Sequence, residues 1–215
     1  MLKKNLCGLF AALFAAGFAG CGGGPRTYTV VDGTMLGTTL HVVADVEGVS
    51  SQELYAAVME LDREAKASMS IFDPASLLSR LNRNETDSVD RHIAFNLRLA
   101  DSIGVLSGGR YDVTVKPLVE AWGFAGKAAQ AHPNVDSILD FVGREKVRIE
   151  RGRLVKSDPR VQLDFNSVAK GYTVDLLAEL VERFGAENYI VDIGGEIRCR
   201  GVNRTGEAWR IGVET

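Results

Sequence analysis

Apolar residues recur along this chain at two spacings, one suited to strands and one to helices, and glycine or proline punctuates most of the changes between them. Residues 30–46 are rich in Val and Thr and predict two strands, with a turn at Asp32-Gly33 and a second strand carrying Leu40, Val42 and Val43. Ser50 with Glu53 three residues on is a capping-box signature, and Leu54, Ala57, Val58, Leu61 and Ala65 share one face of the helix it opens. Asp73-Pro74 supplies an N-cap and a first-turn proline for a short helix presenting Leu77, Leu78 and Leu81. Ile93, Leu97, Ala100 and Ile103 predict a helix over 91–106 that Gly108-Gly109 stops. Asn134 caps a short helix with Val135, Ile138, Leu139 and Val142, ended by Gly143. Two alternating runs within 146–156, separated by Arg151-Gly152, predict a hairpin, and Gln162-Leu163-Asp164 reads as a short strand end. The clearest helix covers 167–184, with Val168, Leu176, Leu177, Leu180 and Val181 as its stripe and Gly185 as its stop. Strands are expected at 189–193, 196–202 and 209–213. Helices and strands alternate irregularly and hairpins are present, so the expected class is mixed α+β rather than a doubly wound parallel sheet.

The first twenty residues depart from this pattern. Lys3 and Lys4 precede an apolar and small stretch over 6–20 that is too short to span a bilayer but suits an export signal. It ends in Phe18-Ala19-Gly20-Cys21, a lipobox-like junction at which Cys21 would be lipidated, and Gly22-Gly23-Gly24-Pro25 follows as a tether. We therefore expect a lipoprotein signal over 1–20, an anchor and tether over 21–27, and a folded body over 28–215. A net charge of −3 with 25% charged and 46% hydrophobic residues describes an ordinary globular body and gives no basic patch for nucleic acid. Outside the leader only Cys199 and Cys21 remain of three cysteines, so no internal disulfide is expected, and Cys199 reads as a small packed residue. His41, His92 and His132 lack metal-ligand spacing and read as scattered surface histidines. The chain stops at Thr215 directly after a predicted strand, which leads us to expect a domain whose C-terminal part is missing.

Four stretches carry polar or special residues where the pattern alone needs none. Thr34-Met35-Leu36-Gly37-Thr38-Thr39 brings glycine and hydroxyls into a strand, as a bulge also would. Ser70-Ile71-Phe72-Asp73-Pro74, followed by Ser79-Arg80-Leu81-Asn82, sets an aromatic ahead of a helix; Phe72 also suits an ordinary core. Gly108-Gly109-Arg110-Tyr111-Asp112-Val113-Thr114-Val115 runs from a helix stop into a predicted strand carrying Asp112 and Thr114; such a junction presents backbone N–H groups and a carboxylate to a ligand, or is simply a turn. In the fourth, Asp164 ends a strand, Asn166 and Ser167 open a helix, and Lys170 sits one turn in, where the helix dipole disfavours a cation. Contact with a phosphate explains that lysine, and a solvent-facing lysine with Asp164 as a simple cap remains the alternative.

Taken in order, these stretches resemble the ApbE family of FAD:protein FMN transferases. The resemblance rests on Met35 to Thr39, on Phe72 with Ser79-Arg80-Leu81-Asn82, on Tyr111 to Val119 through Trp122-Gly123-Phe124, on Asp164 to Gly171, and on Gly194-Gly195-Glu196. It implies an ApbE-like, T-fold-type α+β body with largely antiparallel sheets and packed helices. It also implies FAD as substrate, Mg²⁺ on the FAD pyrophosphate, and transfer of FMN to a Thr or Ser of an acceptor flavoprotein, such as a membrane redox subunit, with release of AMP. By position in the motifs, Leu36 stands where methionine is usual and would contact the flavin by apolar packing, and Phe72 would stack on it. Arg110, Tyr111, Asp112, Asp164 and Lys170 fall on FAD-contacting positions, with Asp164 and Lys170 as candidate catalytic groups. Ser167 matches the position whose backbone carbonyl binds the metal. A His-Ile-Asp-Pro-like segment and a later Asp with Thr or Ala, which complete the metal site in the family, would lie beyond Thr215. The leader implies a lipid anchor on the periplasmic face of the cell envelope. A non-catalytic FAD-binding lipoprotein and a pyrophosphatase giving FMN and AMP are the alternatives.

Overall fold

The computed structural model of the chain describes residues 27–124 and 128–212. The expected signal, Cys21 and all but the last residue of the tether lie outside the described residues.

Strands β1 (Thr29–Met35) and β2 (Thr38–Ala44) form a hairpin whose turn is Leu36-Gly37, one half-strand later than expected. Asp32 and Gly33 lie instead within β1, opposite His41 and Leu40. The reason is conformational: Leu36 and Gly37 both hold positive φ, at 52° and 79°, as a two-residue hairpin turn matching the strand twist requires. Helix α1 (Ser51–Met69) follows, with the capping box formed as its sequence predicts: Ser50 Oγ accepts from Glu53 N–H while Glu53 accepts from Ser50 N–H.

Helix α2 (Leu77–Asn82) starts later than Asp73-Pro74 suggests, because Ser76 is the residue whose side chain accepts the N–H of Ser79. Asp73 spends its carboxylate on Ala75 N–H within the preceding turn. Helix α3 (Arg91–Leu106) has the predicted limits, capped by Asp90 and closed by Gly108 and Gly109 at φ 63° and 81°. The strand expected through Asp112 and Thr114 does not form. Asp112 Oδ1 takes both the N–H and the hydroxyl of Thr114, bending the chain into a turn that leads to α4 (Lys116–Ala121). Only an isolated bridge from Val115 to Gln162 remains of that strand and of the one expected at 162–164.

Helix α5 (Val135–Leu139) is capped by Asn134 as expected but ends before Val142 and Gly143, and the hairpin of β3 (Val147–Glu150) with β4 (Arg153–Lys156) matches its sequence signal. Helix α6 (Asn166–Arg183) then leads into β5 (Tyr189–Ile193) and β6 (Glu196–Arg200). No strand forms at 209–212; Ala208 only bridges Val202, and Trp209 turns its ring against Tyr28 and its Nε1–H to the carbonyl of Arg200. The main sheet has the order β1-β2-β5-β6, antiparallel throughout, and the class is mixed α+β.

Two apolar cores result. The first joins one sheet face to Leu54, Val58 and Leu61 of α1 and Val174, Leu177, Ala178 and Val181 of α6. The second gathers the α1 end (Ala65, Met69), α2, α3, the β3–β4 hairpin and the α6 start (Val168, Tyr172). Helices α1 and α6 thus cross from one core to the other, and Leu36 packs against both. At about 25 cal/mol per Å², a buried leucine such as Leu54, Leu78 or Leu177 contributes roughly 2 kcal/mol, so the apolar stripes hold the helices to the sheet.

Candidate active site

Where the two cores meet, the turn of the first hairpin, the end of α1, the Ser70–Asp73 turn and the start of α6 leave a cavity of about 550 Å³. Leu36, Lys66, Phe72, Asn166, Lys170 and Thr173 are among its walls. Its size suits a ring system the size of a flavin, which is the range of ordinary small-molecule sites.

Each wall is fixed by chemistry that the sequence writes locally. Phe72 is 66% exposed, so it is not a core residue. Its turn is nevertheless held: Ser70 Oγ accepts from the N–H groups of Phe72 and Asp73, and Ser70 C=O accepts from the hydroxyls of Ser76 and Ser79. A fixed, solvent-facing ring at a cavity edge has an unused face for stacking. Leu36 is a left-handed non-glycine residue, a conformation that costs about 1 kcal/mol. Its N–H donates to Asp62 Oδ1 at 2.8 Å, and Lys66 Nζ donates to Asp62 Oδ2 at 2.6 Å.

The start of α6 is anchored from two sides. Asn82, buried on α2, donates to Leu163 C=O at 2.8 Å and accepts Leu163 N–H at 2.7 Å. This clamp sets the next residue, Asp164, whose N–H bonds Val113 C=O and whose Oδ1 accepts the N–H of Asn166. The Phe165 side chain gives α6 no cap, but the Asp164 carboxylate takes the Asn166 N–H, as in the simple-cap alternative read from the sequence, so the positive group that this end brings to the cavity is the Lys170 ammonium. Lys170 is neither free in solvent nor paired tightly: its Nζ donates to Gly194 C=O at 3.1 Å and lies 3.7 Å from Glu196 Oε1. Gly194 has φ 56°, and a Cβ there would lie 2.5 Å from Thr38 Oγ1. Only glycine lets the β5–β6 turn pack on Thr38 and offer its carbonyl to Lys170.

The structure therefore brings Leu36, Phe72 and Lys170 around one cavity, with the Gly37-Thr38 and Gly194-Gly195-Glu196 stretches meeting beside it. Tyr111 joins them indirectly, since its hydroxyl shares a 2.7 Å hydrogen bond with Ser167 Oγ at the start of α6. Arg110 is exposed. Asp112 lines a different cavity of about 590 Å³, with Leu97, Val113, Arg144 and Val147.

Sequence reasoning missed Asp62, Lys66 and His92. Asp62 and Lys66 are four apart on a helix read only for its apolar face; the signal was an acid beside the apolar positions Leu61 and Ala65. His92 is buried rather than a surface residue: Nδ1 faces Tyr172 Oη and Nε2 faces Glu64 Oε1, each at 3.0 Å, tying α3 to α6 and α1. Phe95 stacks on Tyr172 at 4.5 Å. Burial pushes the Tyr172 phenol up, and the hydrogen bond to His92 holds the Glu64 carboxyl below its usual range. Cys199 also departs from expectation, being exposed on edge strand β6.

The sequence model of the ApbE family matches residues 36–215, which includes every wall of the cavity. The chain belongs to the ApbE family. Among its curated ApbE relatives, the FAD:protein FMN transferase of Haemophilus influenzae is 33% identical over 228 residues, covering 99% of this chain and 66% of that protein. That of Vibrio cholerae is 35% identical over 199 residues, covering 88% and 60% respectively. The chain thus spans less than two thirds of the length of either relative. The solved flavin transferase ApbE from Vibrio cholerae superposes with a TM-score of 0.82 at 34% identity, covering 88% of this chain and 64% of that one. The apo flavinyl transferase ApbE of Pseudomonas stutzeri superposes with a TM-score of 0.81 at 25% identity, with coverages of 88% and 66%. These neighbours share the mixed α+β architecture with antiparallel sheets.

Proposed function

We propose that this chain is the FAD-binding part of a Mg²⁺-dependent flavin transferase that moves FMN from FAD onto a Thr or Ser hydroxyl of an acceptor protein. The observation that carries the proposal is the convergence of Leu36, Phe72 and Lys170 on one flavin-sized cavity, the three residues coming from separate motifs. The isoalloxazine ring lies between the apolar Leu36 side chain and the Phe72 face, and the diphosphate runs toward the Lys170 ammonium in the first turn of α6.

In the reaction, the acceptor oxygen forms a bond to the FMN phosphorus as the P–O bond to the AMP phosphate breaks. The acceptor proton leaves to a base or solvent, and AMP departs with the bridging oxygen. Lys170 stabilises negative charge on the phosphates, and the clamp of Asn82 on Leu163 holds Asp164 beside them. Asp164 is a candidate to orient the attacking hydroxyl, since its Oδ2 has only a long 3.5 Å contact with Asn166 Nδ2. Arg110, Tyr111 and Asp112 take supporting roles toward FAD, Tyr111 through its bond to Ser167.

On this reading the chain supplies only part of a Mg²⁺ shell. Among the described residues no group of three or more His, Cys, Asp or Glu is placed to hold a metal. The Ser167 carbonyl and nearby hydroxyls are hard oxygen donors for part of a shell, and Mg²⁺ ordinarily takes phosphate and water for the rest. When bound, it supplies charge neutralisation on the diphosphate and the leaving AMP.

The Lys-Lys leader, the apolar stretch and the Ala19-Gly20-Cys21 junction support export and lipidation at Cys21, with the folded body facing the periplasm and an exported or membrane redox flavoprotein as acceptor. No helix among the described residues is long and apolar enough to cross a membrane.

The test is incubation of the chain with FAD, Mg²⁺ and a peptide bearing an acceptor threonine. Flavin-labelled peptide and AMP in equal amounts are expected. AMP without labelled peptide selects the pyrophosphatase, and FAD binding without AMP selects a binding protein.

A further inference from the structure

We propose that Asp62 is a positioning residue for the ligand of this cavity: its carboxylate holds the hairpin turn so that Leu36 overhangs the site, and it holds Lys66 at the same rim. The inference rests on the flavin reading for the identity of the ligand, but the clamp itself stands on geometry. Three observations carry it.

First, Leu36 occupies the left-handed region at φ 52°, where glycine or asparagine would sit without strain in a two-residue hairpin turn. The neighbouring turns of the chain that adopt positive φ use Arg151-Gly152, solvent-facing, and Gly194-Gly195. An apolar side chain at such a position is a local conflict, and conflicts of this kind are retained where the side chain has a use. Leu36 has one, because it forms part of the cavity wall.

Second, Asp62 is buried to 9% exposure on the helix face whose neighbours, Leu61 and Ala65, belong to the two cores. A carboxylate is costly to place there unless its oxygens are satisfied. Both are: Oδ1 by Leu36 N–H at 2.8 Å and Oδ2 by Lys66 Nζ at 2.6 Å. The Leu36 N–H contact is made across 26 residues and joins α1 to the turn of the β1–β2 hairpin. A helix surface pair alone would need no such burial.

Third, both partners of Asp62 are cavity residues. Leu36 and Lys66 line the same space as Phe72 and Lys170, so one buried group sets both the apolar wall and the place of the Lys66 side chain, whose ammonium it pairs. Asp62 itself is not among the lining residues. It acts through its two neighbours, on the ring-bearing ligand of the flavin reading.

The experiment compares Asp62→Ala, Asp62→Asn and Ser50→Ala in the full chain. Ser50→Ala removes a cap of the same helix, distant in sequence from the cavity-lining turn, and serves as the control for lost stability. Two readouts are taken at a temperature where each variant is folded: hydrogen exchange of the Leu36 amide without ligand, and the FAD dissociation constant. The expected result is a loss of Leu36 protection and a roughly tenfold weaker FAD affinity in Asp62→Ala. Asp62→Asn, which keeps an acceptor for Leu36 N–H, regains most of the protection and part of the affinity. Ser50→Ala lowers the melting temperature but leaves the dissociation constant unchanged. Unchanged Leu36 exchange in Asp62→Ala overturns the inference, as does unchanged FAD affinity despite lost protection. If the wild-type chain binds no FAD, the flavin reading falls, and with it the ligand named for the clamp. The exchange data then still separate the two, since protection lost in Asp62→Ala and kept in Asp62→Asn supports the clamp, and its absence refutes it.

Discussion

Replacing Asn82 by alanine removes both hydrogen bonds that tie α2 to Leu163, and Leu163 is fully buried, so its N–H and C=O are left without protein partners. Each unsatisfied buried backbone group costs about 1–3 kcal/mol. Water entering the space of the lost amide offsets part of this, which places the net loss at roughly 3 kcal/mol. For a chain of this length, such a loss lowers the melting temperature by about 6–12 °C. In urea, with a slope of about 2 kcal/mol per M, the midpoint falls by about 1.5 M with the slope unchanged. Asn82→Asp keeps an acceptor for Leu163 N–H but turns a second acceptor toward Leu163 C=O, so it is expected to be at least as destabilising. Because Asp164 follows Leu163 directly, FAD affinity measured on the folded fraction falls as well. Equilibrium urea unfolding followed by fluorescence and by circular dichroism gives the comparison. A midpoint shift below about 0.3 M at constant slope, which is roughly 0.6 kcal/mol, would refute the clamp as a determinant of this site.

Three further outcomes follow from the same geometry. Phe72→Ala is expected to weaken both FAD and riboflavin about tenfold, equal to ~1.4 kcal/mol of stacking, while stability changes by less than ~0.5 kcal/mol because the ring is 66% exposed; equal affinities for wild type and variant would remove the stacking role. Lys170→Met is expected to weaken FAD but not riboflavin, which lacks phosphates, and equal losses for the two ligands in isothermal titration would move Lys170 away from the diphosphate. Burial lowers the Lys156 ammonium to about 8 from 10.5, so between those values the unfolded chain binds more protons and stability rises with pH. The difference in melting temperature between wild type and Lys156→Met should therefore change across pH 8 to 10.5, and parallel curves would contradict the assignment.

Helix stripes and caps were legible in the sequence because their causes are local. Ser50-Glu53, Asn134 and Gly185 set or end helices within four residues, and α3 and α6 have nearly the limits that their stripes imply. The turn at Leu36-Gly37 was not legible, since Asp32-Gly33 is the better local turn pair. The register is decided by β2, which pairs with β5 on its other edge, and by Asp62 holding Leu36. The strand expected at 112–115 failed for a different reason: Asp112 satisfies Thr114 inside one turn, and alternation cannot see a side chain taking a backbone donor. Of the site, Lys170 was recognisable as a cation set against the helix dipole, whereas the roles of Leu36 and Phe72 came from the family resemblance, Phe72 suiting an ordinary core by pattern alone. Asp62 was hidden because its partner Leu36 N–H lies 26 residues away, and His92 because its partners, Glu64 and Tyr172, lie 28 and 80 residues away.

The central claim is that the flavin occupies the cavity between Leu36 and Phe72, and a crystal structure of the chain with FAD tests it most directly. The account predicts the isoalloxazine ring between those two side chains and the diphosphate beside Lys170 at the start of α6. A ring seated instead in the cavity formed by Asp112, Leu97 and Arg144 would contradict it.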